Sequence, residues 1–234
     1  PQLGYDYLEN FGFQRLANGL VKGDQVFYDA RQPLALGGIT VGVSNKELTA
    51  AYATIANKGI YTEPKLYTTV YDSDGNLILD NRGIETHQVL KESTAFLLTD
   101  AMEDVVTKGT GTATRFDRNM GIAGKTGSTT GYVDVWFAGF TPYYTCSAWA
   151  GYDNNKKMSE KSSYKETKIA QNLWASIMKE VHAELPAKQF EVSEDVTQIT
   201  ICSRSGKLPI EGLCDACLVQ EYFETDALPT EMCD

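Results

Sequence analysis

The sequence has no run of eighteen apolar residues, so it contains no segment long enough to form a transmembrane helix. It has only two histidines, His87 and His182, and we expect neither to be catalytic or to bind a metal. Positive charge is also scarce, because 21 Lys and Arg against 31 Asp and Glu give a net charge of −10. Such an acidic balance argues against nucleic acid or an anionic membrane as the main partner. We therefore expect no nucleic-acid partner and no membrane segment in this chain.

Two further absences concern catalysis and processing. No Ser-x-x-Lys motif, which would supply a serine nucleophile together with a lysine base, occurs upstream of Lys125. The sequence begins at Pro1, with neither an initiator Met nor a signal peptide. We therefore expect the chain to be a piece of a longer protein that carries the nucleophile elsewhere.

The composition is that of a globular protein. Of the 234 residues, 42% are hydrophobic and 11% are aromatic, which is enough for a packed core and excludes an intrinsically disordered chain. The length suits one domain with an appendage. From about Ala187 the composition changes to a cysteine-rich tail, so we predict two units, residues 1–186 and residues 187–234.

The five cysteines are unevenly distributed. Cys146 lies alone in an apolar segment and is predicted to be a core thiol. The other four are the disulfide candidates of the tail, namely Cys202, Cys214, Cys217 and Cys233. A four-cysteine zinc site is the alternative, because Cys214-x-x-Cys217 has the spacing of metal ligands. Since the tail has only one such pair, we expect two disulfides formed in an oxidising compartment and no metal.

Hydrophobic periodicity predicts three main helices. A capping box, Ser44-x-x-Glu47, opens the first, and the second runs from about Glu92 to Thr107. The third covers about 167–184, and its inward residues are predicted to be Ile169, Leu173, Trp174, Ile177 and Val181. Strands are predicted at 67–71 and 77–79, joined by a turn, and at 133–141 and 145–152. The segment 109–112 is glycine-rich, but it follows a helix, so we interpret it as a helix terminator rather than a phosphate loop.

The segment from Gly124 to Gly131, GKTGSTTG, is the strongest functional signal. It places the Lys125 cation beside the hydroxyls of Thr126 and Ser128, a combination that suits a carboxylate ligand. Gly127 has no side chain, so the backbone of a ligand could approach closely and pair with the strand. On residue chemistry alone, the alternative is that these are ordinary turn residues at the end of a strand.

Several longer strings carry a resemblance to a known family. They are LALGGITVGVSNKELTAAYATIANKGIYTEPKLYTTVYDSDGN, VVTKGTGTATRF, GIAGKTGSTTGYVDVWFAGFTP and SAWAGYDNN. In this order they resemble the transpeptidase domain of class A penicillin-binding proteins, which are serine penicillin-recognising enzymes, over about residues 1–185. The tail, ICSRSGKLPIEGLC…EYFETDALPTEMC, is similar to the C-terminal extension of such proteins. The resemblance implies an α+β fold in which helices flank an antiparallel sheet, incomplete on its N-terminal side and followed by a small cysteine-rich extension.

The resemblance also implies a function. The family uses Ser-x-x-Lys, Ser-x-Asn and Lys-Thr-Gly motifs in that order, and the first two are missing upstream of the third, at Lys125. The resemblance implies catalytic roles for Lys125, which would give the binding groove a positive potential, and for Ser128, whose amide would be an oxyanion-hole donor. Substrate binding falls to Thr126, Gly127, Ser128 and Thr130. The full-length protein would be a D,D-transpeptidase that crosslinks peptidoglycan through an acyl-serine, without a cofactor, and this chain alone would be inactive.

The implied partners are peptidoglycan stem peptides, β-lactam antibiotics and the N-terminal half of the same protein. The implied location is extracytoplasmic, on the cell-wall side of an N-terminal transmembrane anchor outside this chain. Two alternatives remain open, a serine β-lactamase-like hydrolase and a non-catalytic cell-wall-binding or scaffold protein. The tail and the segment around Ala51-Tyr52 are not expected in a β-lactamase.

Overall fold

The computed structural model describes residues 1–158, 166 and 168–233. Within this part, the helices are α1 (Gln2–Asn10), α2 (Asn45–Ala56), α3 (Glu92–Thr107) and α4 (Ile169–Val181), with 3₁₀ turns at Gln32–Leu36 and Thr112–Thr114. The strands are β1 (Asn18–Lys22), β2 (Gln25–Tyr28), β3 (Ile60–Thr62), β4 (Thr69–Tyr71), β5 (Leu77–Asp80), β6 (Thr86–Gln88), β7 (Ala123–Ser128), β8 (Asp134–Phe140), β9 (Thr145–Gly151), β10 (Val196–Cys202) and β11 (Leu218–Glu224). None of these helices combines the length and apolarity needed to cross a bilayer.

A three-stranded antiparallel sheet, ordered β7-β8-β9, forms the centre of the molecule. Helix α4 packs on one face, α2 packs on the other, and α3 lies against β7. The core divides accordingly, with Phe137, Trp174 and Met178 on the α4 side and Ile55 and Phe140 on the α2 side. The remaining pairs of strands, β1-β2, β3-β6, β4-β5 and β10-β11, are also antiparallel. The predicted α+β class is therefore confirmed.

Phe137 shows why glycines recur in β7 and β8. Its side chain is fully buried and meets the Trp174 ring edge-on, with ring centroids 5.1 Å apart. A methyl group built on Gly124 would lie 2.5 Å from the Phe137 ring, and one on Gly139 would lie 2.8 Å from it. The two glycines therefore leave the space that the Phe137 ring needs. Trp136 points to the opposite face, as predicted from strand alternation, where it lies beside Trp149.

Helix α2 begins as the sequence predicts. The Ser44 hydroxyl accepts from the Glu47 amide at 3.2 Å, and the Glu47 carboxylate accepts from the Ser44 amide at 2.8 Å. The predicted bounds of α3 and the hairpin formed by β4 and β5 are also confirmed. A hydrogen bond between the hydroxyls of Thr49 and Ser147, 2.5 Å long, joins α2 to β9. Local capping and a cross-link to the sheet thus fix α2 on its face.

Helix α4 differs from its prediction. The expected inward set is wrong except for Trp174, because Ile169, Leu173, Ile177 and Val181 are 42%, 45%, 42% and 49% exposed. The buried residues are instead Ala170, Gln171, Trp174 and Met178. The helix also ends earlier than predicted, at Val181, and Thr167 lies outside the described residues. Because both stripes of the helix are apolar, periodicity alone could not select the one that packs on the sheet.

The tail forms a separate hairpin from β10 and β11 that packs against α3. The rings of Phe96 and Tyr222 meet edge-to-face with centroids 5.0 Å apart. The Ser93 hydroxyl donates to the Glu224 carboxylate at 2.7 Å. Helix α3 therefore contacts both the substrate-strand candidate β7 on the sheet and the cysteine-rich tail.

Candidate functional site

The candidate site lies on β7, which carries the Lys-Thr-Gly segment. Among the described residues, β7 pairs with β8 along one edge and with no strand along the other. Strand alternation directs Lys125 and Gly127 to one face and Thr126 and Ser128 to the other. Lys125 and Ser128 are exposed, while Thr126 and Gly127 are half-buried. The segment therefore presents an open backbone edge with polar side chains on both faces.

Lys125 has no acidic partner in the part of the chain that the structure describes. Its Nζ donates to the Thr126 carbonyl oxygen at 3.1 Å and to the Thr126 hydroxyl at 3.4 Å, so the side chain crosses from its own face toward the other. Within the described residues, no carboxylate lies in ion-pair range of this ammonium. An uncompensated ammonium beside a hydroxyl can hold an anionic group by charge-assisted hydrogen bonds. Lys125 and Thr126 thus form one polar group at the candidate site.

Thr110 contacts the candidate site, and the sequence interpretation missed it. Its hydroxyl shares a 2.8 Å hydrogen bond with the Thr126 hydroxyl. The Thr110 carbonyl accepts in turn from Lys168 Nζ at 3.1 Å, and the same ammonium donates to Gln171 at the start of α4. The segment 109–112 does end α3, as predicted, but it also fixes the orientation of the Thr126 side chain. The repeated Gly-Thr pattern gave no signal for this contact, because the two threonines meet only after the chain folds back.

Ser128 and Thr130 are the remaining candidate hydroxyls of the segment. Both are exposed, and neither hydroxyl has a hydrogen-bond partner among the residues that the structure describes. Between them, Thr129 closes the turn into β8, where its hydroxyl accepts from the Asp134 amide at 2.8 Å. The Asp134 carboxylate accepts from the Trp149 indole at 2.9 Å and thereby ties the turn to β9. Two candidate hydroxyls are therefore open to a ligand, while the turn that carries them is anchored.

The histidines and the lone core cysteine have structural positions. His182 is buried at the end of α4, where Nδ1 donates to the Met178 carbonyl and Nε2 accepts from the Thr141 hydroxyl at 2.8 Å. His87 is exposed, and its Nε2 donates to the Asn10 carbonyl at 2.8 Å. Cys146 is half-buried against the α4 side of the core, and burial raises the pKa of its thiol. None of the three lies in the Lys125 site.

One acidic side chain of α3 has a strongly raised pKa. Glu103 lies on α3, the helix that contacts β7, and is partly buried. Burial, and then the negative charges of Asp100 and Asp104, raise the pKa of Glu103 to about 7. The ionised form of Glu103 is therefore disfavoured in the folded chain.

Two family models match this chain, each over a different part of it. A model of the penicillin-binding protein transpeptidase domain matches residues 1–179. A model of the penicillin-binding protein 1A C-terminal domain matches residues 192–234. Both regions that carry the sequence resemblance are thus recognised independently.

Curated relatives and solved structures agree with these matches. Penicillin-binding protein 1A of Clostridium botulinum is 34% identical over 233 residues, which cover 97% of this chain and 26% of the relative. Penicillin-binding protein 1F of Bacillus subtilis is 41% identical over 140 residues, 56% of this chain and 19% of the relative. The chain thus spans about a quarter of the length of the first relative.

Among solved structures, penicillin-binding protein 1A of Haemophilus influenzae matches with a TM-score of 0.74 at 23% identity, over 97% of this chain and 37% of that one. The PonA1 protein of Mycobacterium tuberculosis in complex with penicillin V matches with a TM-score of 0.64 at 22% identity. This match covers 80% of this chain and 51% of that one. At these identities the structural likeness establishes the fold alone, and the family models establish membership. The chain therefore belongs to the transpeptidase-domain family of penicillin-binding proteins, with a C-terminal segment of the penicillin-binding protein 1A type.

Proposed function

We propose that this chain supplies the substrate-holding strand of a D,D-transpeptidase that crosslinks peptidoglycan. In the full-length protein, a serine attacks the carbonyl of a D-Ala-D-Ala stem peptide, releases the terminal D-Ala and forms an acyl-enzyme. An amine of a neighbouring stem peptide then takes the acyl group. β-Lactams would acylate the same serine. The nucleophile belongs to a part of the protein that precedes Lys125 and lies outside this sequence.

The observation that carries the proposal is the state of Lys125. It is an exposed ammonium on a strand that is unpaired along one edge among the described residues. It donates to the two Thr126 oxygens, and no described carboxylate neutralises it. A stem peptide ends in a carboxylate, and so does the bicyclic core of a penicillin. Such a group would add the negative charge that Lys125 lacks, within reach of the Thr126 hydroxyl. Membership of the penicillin-binding protein family makes this the natural ligand class.

The neighbouring residues suit the remaining tasks. An extended peptide can pair with the free edge of β7 by main-chain hydrogen bonds. Gly127 leaves room for it, Ser128 and Thr130 offer hydroxyls, and the Ser128 amide would be one oxyanion donor. The second donor would be the amide of the nucleophile itself. Thr110 acts as a positioning residue, because it holds the Thr126 hydroxyl rather than the substrate.

The exposed face of α4 supports the inference that another part of the full-length protein packs against this chain. Ile169, Leu173 and Ile177 recur at intervals of four residues and form an exposed apolar stripe on the helix. A helix that is apolar on two faces is usually buried on both. We infer that the N-terminal half of the transpeptidase domain is a partner of residues 1–186, and that residues 187–234 form an appended unit. The whole protein would act outside the cytoplasm, held by an N-terminal anchor.

Replacement of Lys125 by Ala in the full-length protein tests the proposal. Loss of a charge-stabilising contact of this kind costs about 2.7–4 kcal/mol of barrier, or roughly 10²–10³-fold in acylation rate. The melting temperature should hardly change, because Lys125 is exposed and its loss strands no buried partner. The measurement is the rate of labelling by a fluorescent penicillin, followed on gels, together with a thermal melt.

Lys22→Ala is the matched control, because Lys22 is also an exposed strand lysine without an ion pair among the described residues. It should label at the normal rate. Normal labelling of Lys125→Ala would reject Lys125 as a site residue. Rapid turnover of nitrocefin by the full-length protein would instead favour a β-lactamase-like hydrolase. No labelling of the unmodified full-length protein would favour a non-catalytic wall-binding or scaffold protein.

A further inference from the structure

The four tail cysteines converge on one point. The Sγ atoms of Cys202, Cys214 and Cys233 all lie within 4.8 Å of one another, and all three residues are buried. The Sγ atom of the half-buried Cys217 lies 3.4 Å from that of Cys202. All four are free thiols. Together they form a small sulfur-lined centre, here called the sulfur cluster, where the tail has few other buried apolar side chains.

Three separate segments of chain build the sulfur cluster. Cys202 ends β10 and pairs in register with Leu218, so Cys217 is placed beside it at the start of β11. A tight turn, in which the Cys217 amide donates to the Cys214 carbonyl at 2.8 Å, brings Cys214 to the same side. The last strand segment delivers Cys233, whose amide donates to the Leu208 carbonyl at 2.8 Å. The backbone thus holds all four side chains in place without a bond between them.

Hydrogen-bond donors surround the sulfurs. The amides of Arg204 and Ser205 donate to the Cys202 sulfur. The Ile210 amide points at the Cys214 sulfur at 3.5 Å, and the Ser205 hydroxyl donates to the Cys233 sulfur at 3.4 Å. Donors of this kind orient metal-bound thiolates and stabilise their charge. A disulfide sulfur carries no such charge and gains little from them.

The separations between sulfurs decide between a metal and two disulfides. Tetrahedral zinc with Zn–S bonds of about 2.3 Å places its sulfurs about 3.8 Å apart. The Cys202 sulfur lies 3.4 Å from that of Cys217 and within 4.8 Å of those of Cys214 and Cys233, a range that contains this value. Disulfides join sulfurs two by two, so one bridge has no reason to lie against the other, whereas here Cys202 is close to all three partners. We propose that Cys202, Cys214, Cys217 and Cys233 bind one zinc ion as a structural four-thiolate site that fastens the tail.

Cobalt substitution tests the site on the whole 234-residue chain. The chain is reduced, stripped with a chelator and titrated with Co²⁺ under anaerobic conditions. We expect saturation at one equivalent, a sulfur-to-cobalt charge-transfer band, the intense visible bands of tetrahedral cobalt, and displacement by one equivalent of Zn²⁺. Weak bands of octahedral cobalt, or no saturable binding, would overturn the proposal.

Two variants locate the ion. Cys217→Ser should weaken Zn²⁺ binding by more than the roughly 10–100-fold that loss of an outer partner costs. Cys146→Ser is the matched control, since this thiol lies in the sheet core, and it should bind normally. Equal binding by both variants would refute the assignment.

Chain purified without reductant should contain one equivalent of zinc and show five reactive thiols once it is denatured with chelator. One reactive thiol and no metal would establish the two disulfides that the sequence predicts.

Discussion

Two glycines on β7, Gly124 and Gly127, should respond in opposite ways to substitution by alanine. The first substitution tests packing of the fold, and the second tests peptide binding at the candidate site. A Cβ atom on Gly124 would lie 2.5 Å from the Phe137 ring, 2.8 Å from the Ala138 carbonyl oxygen and 2.9 Å from the Gly139 Cα. Two of these three atoms are backbone, and the Phe137 ring is fully buried, so none can move aside easily. On Gly127, the closest contact of a Cβ atom would be the Trp136 Cβ at 3.4 Å, an ordinary separation.

The magnitudes follow from these contacts. Overpacking of a core typically costs about 1–3 kcal/mol, so we expect Gly124→Ala to lower the free energy of unfolding by about 2 kcal/mol. For a chain of this size, that corresponds to a fall of roughly 4–8 °C in melting temperature. Gly127→Ala should instead be neutral or stabilise by up to about 1 kcal/mol, because Ala has fewer unfolded conformations than Gly and the site is open.

The two assays are thermal melting of the chain and penicillin labelling of the full-length protein. Gly127→Ala should slow labelling by about 10²-fold, because the added methyl group would displace a peptide that must lie close to β7. Its melting temperature should not fall. If Gly127→Ala labels normally, the bare backbone at this position is not needed for substrate. If Gly124→Ala melts normally, the fit between Phe137 and the glycines has been misjudged.

Three further predictions concern single groups. Thr110→Val in the full-length protein removes the 2.8 Å hydrogen bond to Thr126 and should slow penicillin labelling by about 2–12-fold, the equivalent of about 0.5–1.5 kcal/mol. Thr110→Ser keeps the hydroxyl and should label at the normal rate. Equal loss of rate in both variants would contradict a role for the hydroxyl. Glu103→Gln should raise the free energy of unfolding by about 1 kcal/mol at pH 8 and leave it unchanged at pH 4, because a raised carboxyl pKa destabilises the fold only as pH rises from 4.5 through about 7. Partial exposure of Glu103 keeps the gain below the value that the full pKa shift would give. An equal effect at both pH values would refute this prediction. The 234-residue chain alone should show no mass increase on incubation with penicillin, since no Ser-x-x-Lys motif precedes Lys125; a stoichiometric adduct on a serine would refute this.

Features that depend on neighbouring residues could be predicted from the sequence. The capping box of α2, the bounds of α3 and the hairpin of β4 and β5 are each encoded within a few consecutive residues. The Lys-Thr-Gly segment was recognisable for the same reason, since its cation, hydroxyl and glycine are adjacent. The opposite faces of Trp136 and Phe137 followed from the alternation of any strand.

Features that depend on residues far apart in the chain could not be predicted from the sequence. The hydrogen bond between Thr110 and Thr126 joins a loop to a strand, and nothing in either segment marks the other as its partner. The inward stripe of α4 was misassigned, because Ala170 and Gln171 carry less hydrophobic signal than the exposed Ile169 and Leu173. Convergence of the tail sulfurs requires three segments to meet. In each case tertiary packing, rather than local preference, determines the outcome.

The open edge of β7 also bears on how the protein avoids self-association. An unpaired strand edge is a template for strands of other copies, and proteins commonly protect such edges with bulges, prolines or lysines. The proposed peptide-binding role leaves no room for a permanent cover on β7, and Gly127 has no side chain to shield the edge. In that role Lys125 would protect the edge as well as bind the ligand, because its charge repels an identical edge yet attracts a peptide that ends in a carboxylate. Under the proposed function, the same side chain would distinguish a stem peptide from a second copy of the chain.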